Sequence, residues 1–486
     1  MKKKIVFLAV VAMAFNFQSK AQLSYSETNN LFYHTLRTPQ SNLYNAAFFP
    51  TNTTVYITLP GMDFQYGSPL AVNEVIYYDQ ASQHTLINLD TIFKCLNESN
   101  KFHIGADVNI LGFGFKVSDL FFTFNTRLVN SINVGLPIST INAVLYGNID
   151  ETGSPRPVME LANGDILNLT SYLETSIGAG YHFDQLNLTV GARAKLLYGL
   201  ANVQTDNTKV VFNTDPNMDS VSASIYYEIQ SSTIASYDDS AKRFAFSASD
   251  IFANRNLGFA FDIGAKYDFG PFSFSLAIND LTAGIHWKSN VNTWRPEGGQ
   301  GVITFNGIDV NTILVNGTFS VDSLTDYLRN QISSMTPSRE NSGDYWFSVP
   351  TKINMGASFS FAKILRAGLL LHGQFDRGLL CKSTNRLAID ADVTNTFRFN
   401  TTLSLSANLF NWAEFVVGSS IVYDGDKVDF FNPGAGMILS IGTVAQFYLM
   451  ADYISSFYLV ESKAVNLKFG LNVLLGKGGR SVITAI

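Results

Sequence analysis

The feature of this sequence that most restricts its fold is a strict alternation of apolar and polar residues over long runs. In residues 186–198 every second residue is apolar, and Asn187, Arg193 and Lys195 fall between the apolar positions. Residues 257–269 and 465–473 repeat the pattern. Because successive side chains of a β-strand point to opposite faces, each run predicts a strand with one apolar and one polar face.

The length of these runs separates two classes of β protein. They extend over about 9–15 residues, whereas strands of soluble sheets average about 5–6 residues. A tilted strand of about 9–11 residues crosses a bilayer, and a sheet inside a bilayer must close to pair every backbone group. A soluble β-sandwich, the alternative, has shorter strands and solvent faces richer in Lys and Glu. We therefore predict an all-β fold, a transmembrane antiparallel β-barrel of about 14 strands, with 16 as the alternative, and long external loops.

Composition and motifs exclude several classes of function. Only 15% of the residues are charged and the net charge is −6, which disfavours a nucleic-acid-binding protein and a disordered chain. Cys95 and Cys381 stand far apart in sequence and outside any Cys/His cluster. The sequence contains no metalloprotease, serine-hydrolase or nucleotide-binding motif. We therefore expect no enzyme activity, no metal and no cofactor.

The chain begins with the pattern of a signal peptide. Residues 2–4 are lysines, residues 5–15 are mostly apolar, and small residues precede a cleavage site between Ala21 and Gln22. A membrane anchor, the alternative, needs about 20 apolar residues. We predict a signal peptide at 1–21, an N-terminal segment at 22–50 that folds into the lumen as a plug, a barrel at 51–476 and a tail at 477–486. The predicted location is the outer membrane, where lipid surrounds the barrel.

Connections between the predicted strands alternate in length. Short ones fall at 117–118, 184–185, 270–271 and 362–363, and long ones at 67–102, 135–170, 201–255 and 289–349. Outer-membrane barrels have short periplasmic turns and longer external loops. This pattern predicts a periplasmic mature N-terminus and external loops that are available to a protein partner. Apolar residues spaced by four also predict a short helix at 324–332.

Ten titratable side chains fall on the predicted lumen face of the strands. They are Asp107, Arg127, Glu174, His182, Arg193, Lys195, Asp262, Lys266, Arg366 and His372. They form either a ligand site or proton relay, or a hydrogen-bonded network that rigidifies the barrel. We favour the network, because the sequence shows no cluster with ligand spacing. We expect Phe261 to face lipid, and Asp262→Asn to cost much less stability than Phe261→Arg.

Several segments also resemble a known group of proteins. Residues 40–50, with the sequence QSNLYNAAFFP, resemble the opening segment of Bacteroidota-type outer-membrane barrels of the FadL-like and PorV-like kind, with Ala46 where a proline is usual. Residues 59–61, 97–102 and 171–200 are similar to an uncharacterised family of such barrels. The resemblance implies an outer-membrane barrel without catalytic residues. The C-terminus departs from the usual pattern, since residues 477–480 separate the last strand from Ile486.

Two functions remain open at this level. Relatives in the broader group either admit hydrophobic molecules or act as partners in secretion and gliding machinery. The resemblance therefore implies either transport of small or apolar molecules, or a structural and docking barrel. The N-terminal segment suits the first function and the long loops suit the second.

Overall fold

The computed structural model describes most of the chain from Asn30 onward. The described residues are 30–51, 53–80, 84–88, 91–92, 96, 99–139, 158–164, 166–214, 221–233, 236–238, 243–245, 255–296, 301–305, 314–315, 318–319, 337–341, 343–361, 364–375, 397–409, 412–423, 428–441, 444–453 and 462–476. The predicted signal peptide with its Ala21–Gln22 junction, the helix at 324–332 and the tail at 477–486 lie outside them.

Fourteen antiparallel strands form one closed barrel. In chain order they are β1 (Val55–Gly67), β2 (Ser99–Val117), β3 (Leu120–Pro137), β4 (Leu167–Phe183), β5 (Leu188–Thr214), β6 (Leu257–Phe269), β7 (Phe272–Trp287), β8 (Thr351–Phe361), β9 (Leu365–Phe375), β10 (Phe397–Asn408), β11 (Ala413–Tyr423), β12 (Val428–Ile441), β13 (Ala445–Ala451) and β14 (Ala464–Leu475). Each pairs with its neighbour in the chain, and β1 pairs with β14 to close the sheet. The predicted barrel is confirmed, with the lower of the two strand numbers.

The two faces of the wall differ as the alternation predicts. On β6 the side chains of Phe259, Phe261 and Ile263 are exposed on the outside, whereas Asp262 is completely buried on the inside. Exposed apolar side chains recur around the barrel, for example Phe274 on β7 and Phe469 on β14. A continuous apolar surface of this kind is the lipid-facing band of a transmembrane barrel.

The two rims of the barrel are built differently. Tight connections at residues 118–119, 184–187 and 270–271 form one rim. At the other rim the sheet continues, because β5 runs for 27 residues and its outer half pairs with Val158–Gly164 and Val221–Thr233. Three further strands join them, namely Asn292–Pro296, Gly301–Phe305 and Pro337–Asn341. We call the outer half of β5 and these five strands the outer sheet.

The outer sheet corrects part of the predicted loop pattern. The long connection predicted at 201–255 begins only after Thr214, and residues 289–349 contain several strands. Tyr345–Ser348 pairs with the end of β7. Separate two-stranded hairpins join Ile76–Asp79 to His84–Ile87, Ser236–Asp238 to Arg243–Ala245, and Leu314–Val315 to Thr318–Phe319.

Helices in the described residues are short. They are Leu31–His34, Ser41–Tyr44, Val72–Val75 and Asp184–Leu186. In this part of the chain, no helix has the length and apolar character needed to span a membrane.

Residues 30–51 and 53, which we call the N-terminal segment, lie inside the barrel. The hydroxyls of Tyr33 and Ser275 on β7 form a hydrogen bond of 2.9 Å. The side-chain amides of Gln40 and Asn472 on β14 exchange two hydrogen bonds of 2.8 and 2.9 Å. Since β7 and β14 lie on opposite sides of a fourteen-stranded barrel, the segment crosses the lumen.

Glycines on the inner wall allow the backbone of the N-terminal segment to approach closely. A Cβ atom on Gly191 of β5 would lie 2.1 Å from the carbonyl oxygen of Ala46. A Cβ atom on Gly264 of β6 would lie 2.1 Å from Oδ1 of Asn45. Any larger residue at either position therefore overlaps the segment.

Candidate functional site

A group of almost completely buried charges lies on β5, β6 and β7. The carboxylate of Asp262 forms ion pairs with Nε of Arg193 at 2.9 Å and with Nζ of Lys195 at 3.0 Å. Lys195 also donates to Oδ1 of Asp280 at 2.6 Å. All four side chains are almost completely buried. Each charge is thus compensated by a neighbour of opposite sign, which burial requires.

Asp280 enters this group through a distortion of β7. Both Asp280 and Thr282 have φ of 59°, a left-handed conformation that is unusual for residues other than glycine. The backbone N–H of Asp280 donates to Oδ1 of Asp262 at 2.8 Å. Asp262 therefore compensates two cations and also holds the irregular backbone of β7 in place.

A second group of charges continues the network along β2, β3 and β4. Arg127 donates to Oε2 of Glu174 at 2.8 Å and lies 3.7 Å from Asp107. Lys195 lies 3.9 Å from Glu174, which connects the two groups. We call the seven residues on β2–β7 the charge cluster. They are Asp107, Arg127, Glu174, Arg193, Lys195, Asp262 and Asp280.

An ion triad that the sequence reasoning did not include lies next to this cluster, since Asp63 of β1 is paired directly with Asp107 of β2. Lys468 of β14 bonds to the carboxylate of Asp452 and lies 3.8 Å from that of Asp63 on β1. Asp452 also accepts a hydrogen bond from the backbone N–H of Leu31 at 3.2 Å. Lys468 occupies a polar position of the alternating run at 465–473, and that signal could have identified it.

A polar cavity of about 60 Å³ lies at mid-height in the barrel and is lined by residues of both the charge cluster and the triad. Asn30 and Tyr44 of the N-terminal segment contribute to its lining. The side-chain amides of Asn279 and Asn354 donate to the carbonyl oxygen of Tyr44 at 2.8 and 3.1 Å. A polar cavity of this volume holds several water molecules. The remaining lining residues are Leu43, Asp63, Gln65, Asp107, Asn109, Arg127, Lys195, Asp280, Lys352, His372, Asn466 and Lys468.

The ten predicted lumen residues fall into three places. Six of them belong to the charge cluster. His372 lines the mid-barrel cavity, where its Nδ1 lies 2.7 Å from Oδ1 of Asn354. Lys266, Arg366 and His182 lie closer to the rim of tight turns. Four of the ten, Asp107, Arg127, Lys195 and His372, therefore line one cavity, and three more belong to the charge cluster beside it.

The three residues near the tight turns have local partners. Lys266 donates to Asp268 at 2.6 Å. Arg366 donates to the carbonyl oxygen of His34 at 3.2 Å. His182 contacts Oγ1 of Thr189 at 2.9 Å, and its side chain is 23% exposed.

His34 is the buried histidine of the N-terminal segment. Burial, reinforced by the positive charge of Arg366, lowers the pKa of His34 to about 3. Its imidazole is therefore neutral at pH 7 and adds no charge to this part of the lumen. Among the described residues, no group of three His, Cys, Asp or Glu side chains is arranged to hold a metal ion.

Comparison with solved structures finds barrels of similar architecture at low sequence identity. The deltaS2S3 mutant of the monoaromatic hydrocarbon channel TodX has a TM-score of 0.45 and 10% identity, covering 90% of this chain and 95% of that chain. A FadL homologue of Pseudomonas aeruginosa has a TM-score of 0.44 and 8% identity, covering 94% and 100%. The toluene transporter TbuX of Ralstonia pickettii has a TM-score of 0.41 and 10% identity, covering 90% and 94%.

Comparison at the level of sequence gives a family. No curated protein matches the chain. One family model matches residues 47–452, from the end of the N-terminal segment to the triad residue Asp452. The chain therefore belongs to DUF5723, a family of unknown function.

Proposed function

We propose that this protein is an outer-membrane transport barrel whose lumen is closed by its own N-terminal segment. The observation that carries the proposal is the position of that segment, which crosses the lumen between β7 and β14. It is joined to the wall by hydrogen bonds, by buried apolar contacts of Leu31, Phe32 and Tyr33, and by the covalent connection into β1. None of its described residues belongs to a barrel strand, so its displacement leaves the pairing of the strands intact. A segment held in this way closes the passage through the lumen. A shift of the segment's backbone opens that passage.

The lining of the mid-barrel cavity favours small hydrophilic solutes over apolar ones. Charged side chains of both signs and side-chain amides surround it. An apolar molecule here would replace water on these groups without offering hydrogen bonds, which costs free energy for every group left unsatisfied. A small solute with donors and acceptors keeps them satisfied. Of the two classes of cargo expected from the sequence, small polar molecules therefore fit the passage better.

Substitutions in the barrel wall that displace the N-terminal segment test this function. The double variant Gly191→Val and Gly264→Val places side chains where Ala46 and Asn45 now lie. We expect ion conductance in planar bilayers to rise from near zero to a steady open level. Proteoliposomes containing the variant should also swell in glycine or urea. Gly343→Val is the matched control, because a Cβ atom there has no neighbour within 4 Å.

A closed double variant would contradict the proposal, provided that it folds. Folding is checked by circular dichroism of the purified variant in lipid vesicles. A variant that conducts ions but excludes glycine and urea would support the N-terminal segment as the gate. It would contradict small polar molecules as the cargo.

We infer that the protein reaches the outer membrane by means of the signal at residues 1–21. The apolar outer band supports a membrane location, and the N-terminal pattern supports export. N-terminal sequencing of the membrane-extracted protein should begin at Gln22. Recovery of the full-length chain from the inner membrane would contradict this route.

The outer sheet supports a second candidate function, a docking barrel. It extends β5 well beyond the paired length of β6 and includes the strand Pro337–Asn341, so that a broad sheet stands beyond the rim of the barrel. An extended sheet at the rim offers a surface on which a protein partner docks. Deleting residues 292–341 should then abolish cross-linking to an envelope partner while leaving the conductance unchanged. Unchanged cross-linking would exclude the outer sheet as a docking surface.

A further inference from the structure

Two carboxylates lie side by side in the lining of the mid-barrel cavity. Asp63 of β1 and Asp107 of β2 are paired directly across the two strands, so both side chains point to the same face of the sheet. Both residues line the cavity, and we call them the acidic pair. Like charges that stand directly opposite each other destabilise a sheet. A positive group placed between the two carboxylates therefore stabilises this part of the wall.

The cations beside the acidic pair make closer contacts with other carboxylates. Arg127 lies 3.7 Å from one carboxylate of the pair but donates to Glu174 at 2.8 Å. Lys468 lies 3.8 Å from the other carboxylate and makes a shorter contact with Asp452. A carboxylate accepts several hydrogen bonds at once. The acidic pair can therefore accept hydrogen bonds from a bound solute in addition to those from its partners in the wall.

The far side of the same cavity presents donors. Lys352 lies on β8, across the lumen from β1 in the closed ring of strands, and it is paired directly with Asn279 of β7. Both residues line the cavity. An ammonium group has three donors, so Lys352 can bind a solute beside its partners in the wall. The carboxylate on this side, Asp280, is already bound by Lys195 at 2.6 Å.

Two buried amides in the lining each have an unused hydrogen-bonding atom. Among the described residues, Nδ2 of Asn30 has no acceptor and Oδ1 of Asn279 has no donor. Both side chains belong to residues that are only 3% exposed. Buried polar atoms are normally paired. An occupant that offers both an acceptor and a donor satisfies the two amides.

Size and charge together restrict the occupant. A volume of about 60 Å³ has room for about four to six water molecules, or for one solute with about as many non-hydrogen atoms. An occupant with a net charge would add a buried charge that needs its own compensation. We propose that the cavity binds one small zwitterionic amino acid, such as glycine or alanine. Its ammonium group lies at the acidic pair and its carboxylate points toward Lys352.

As the site of a transported solute, this cavity rests on the function proposed above, because the amino acid passes only when the N-terminal segment is displaced. Binding itself requires only the folded barrel. A barrel that binds glycine but never conducts would therefore support the site and contradict transport. A barrel that conducts but does not bind glycine would contradict the site alone.

Binding is measured on protein refolded from urea into detergent with radiolabelled glycine present, so that entry does not depend on movement of the N-terminal segment. Equilibrium dialysis should show saturable binding of one glycine per barrel. Alanine should compete with glycine. Acetate, methylammonium and urea, which lack one or both charges, should compete about tenfold more weakly or less, since each loses a charge-assisted hydrogen bond.

Two substitutions separate the ends of the site. Asp63→Asn should weaken glycine binding about tenfold and reduce the preference for glycine over acetate. Lys352→Gln should reduce the preference for glycine over methylammonium, a change that general loss of stability does not produce. Asp268→Asn is the matched control, because it removes a lumen-face carboxylate that pairs with Lys266 and lies outside the lining of this cavity. It should bind glycine as the wild type does.

The competition profile of the wild type decides the proposal if the variants fail to fold. Absence of saturable glycine binding in the refolded wild type would overturn the proposal. Competition by urea as strong as that by alanine would overturn it as well. The same holds if folded Asp63→Asn and Lys352→Gln both retain the affinity and the preferences of the wild type.

Discussion

Asp262 shows at the level of a single residue how the inner wall is stabilised. It is completely buried and compensates Arg193 and Lys195 while it binds the backbone of Asp280. We expect Asp262→Asn to destabilise the barrel by about 3–5 kcal/mol, because it leaves buried cations without their partner. Reversible urea unfolding in lipid vesicles measures this cost. Glu340→Gln is the control, since a carboxylate with 62% exposure should contribute within about 0.5 kcal/mol.

Phe261 provides the comparison on the outer face of the same strand. Its side chain is 49% exposed toward lipid, and an arginine near the bilayer midplane costs about 2–4 kcal/mol. Alternation alone predicts that Asp262→Asn costs much less stability than Phe261→Arg. With the ion pairs of Asp262 taken into account, the two substitutions are expected to cost comparable amounts of stability. A cost near zero for Asp262→Asn would show that the ion pairs contribute nothing.

The residues that sequence reasoning found and missed differ for a physical reason. Alternation places Arg193, Lys195 and Asp262 inside because their strands are regular. Asp280 follows a regular run, but the left-handed backbone at Asp280 and Thr282 interrupts the period of two. Asp452 lies just after a strand of only seven residues. The alternating pattern therefore contains the information for charges on regular strands, Lys468 included, and loses those at irregularities and strand ends.

At the level of elements, an amide pair helps to hold the N-terminal segment in the lumen, beside the hydrogen bonds that Arg366 and Asp452 form with its backbone. Gln40 and Asn472 exchange two hydrogen bonds between the segment and β14. We expect the substitutions Gln40→Ala and Asn472→Ala to be non-additive in urea unfolding, with a coupling free energy of about 1 kcal/mol. Arg37→Ala with Asn472→Ala is the control pair. Strict additivity of Gln40→Ala and Asn472→Ala would mean that this contact does not hold the segment.

The same element shows where sequence patterns lose information. The N-terminal segment has no alternation, and its place in the lumen depends on glycines in distant strands. The outer sheet is a related case, because β5 continues past the barrel rim through Asp206 and Asn207, residue types that favour turns. Hairpins between neighbouring strands follow from local turns and are well predicted. Contacts between segments that are far apart in sequence are not encoded locally.

At the level of the whole molecule, the barrel is closed by a single seam between β1 and β14. Met62 and Phe469 are directly paired across it. In a background of Cys95→Ser and Cys381→Ser, we expect Met62→Cys with Phe469→Cys to form a disulfide, because paired Cα atoms lie about 4.5–5.5 Å apart. Mass spectrometry of linked peptides detects the product.

The matched control shifts one cysteine along the strand. Met62→Cys with Leu471→Cys places the two Cα atoms on a diagonal of about 7–8 Å, beyond normal disulfide geometry. It should cross-link much less. Equal cross-linking of the two cysteine pairs would mean that the register between β1 and β14 differs from the pairing of Met62 with Phe469. Absence of both cross-links would mean that the barrel is open at this seam.

The seam also fixes an order of events during biogenesis. The N-terminal segment is synthesised first, yet its contacts with β14 join residues 432 positions apart in sequence. The cylinder that surrounds it is complete only when β14, the final strand of the barrel, has been made. The segment must therefore already lie among the strands as the sheet curls and the last pair of edges meets. The N-terminal segment acts as a template around which the later strands assemble, and the slowest contacts to form are those that enclose it.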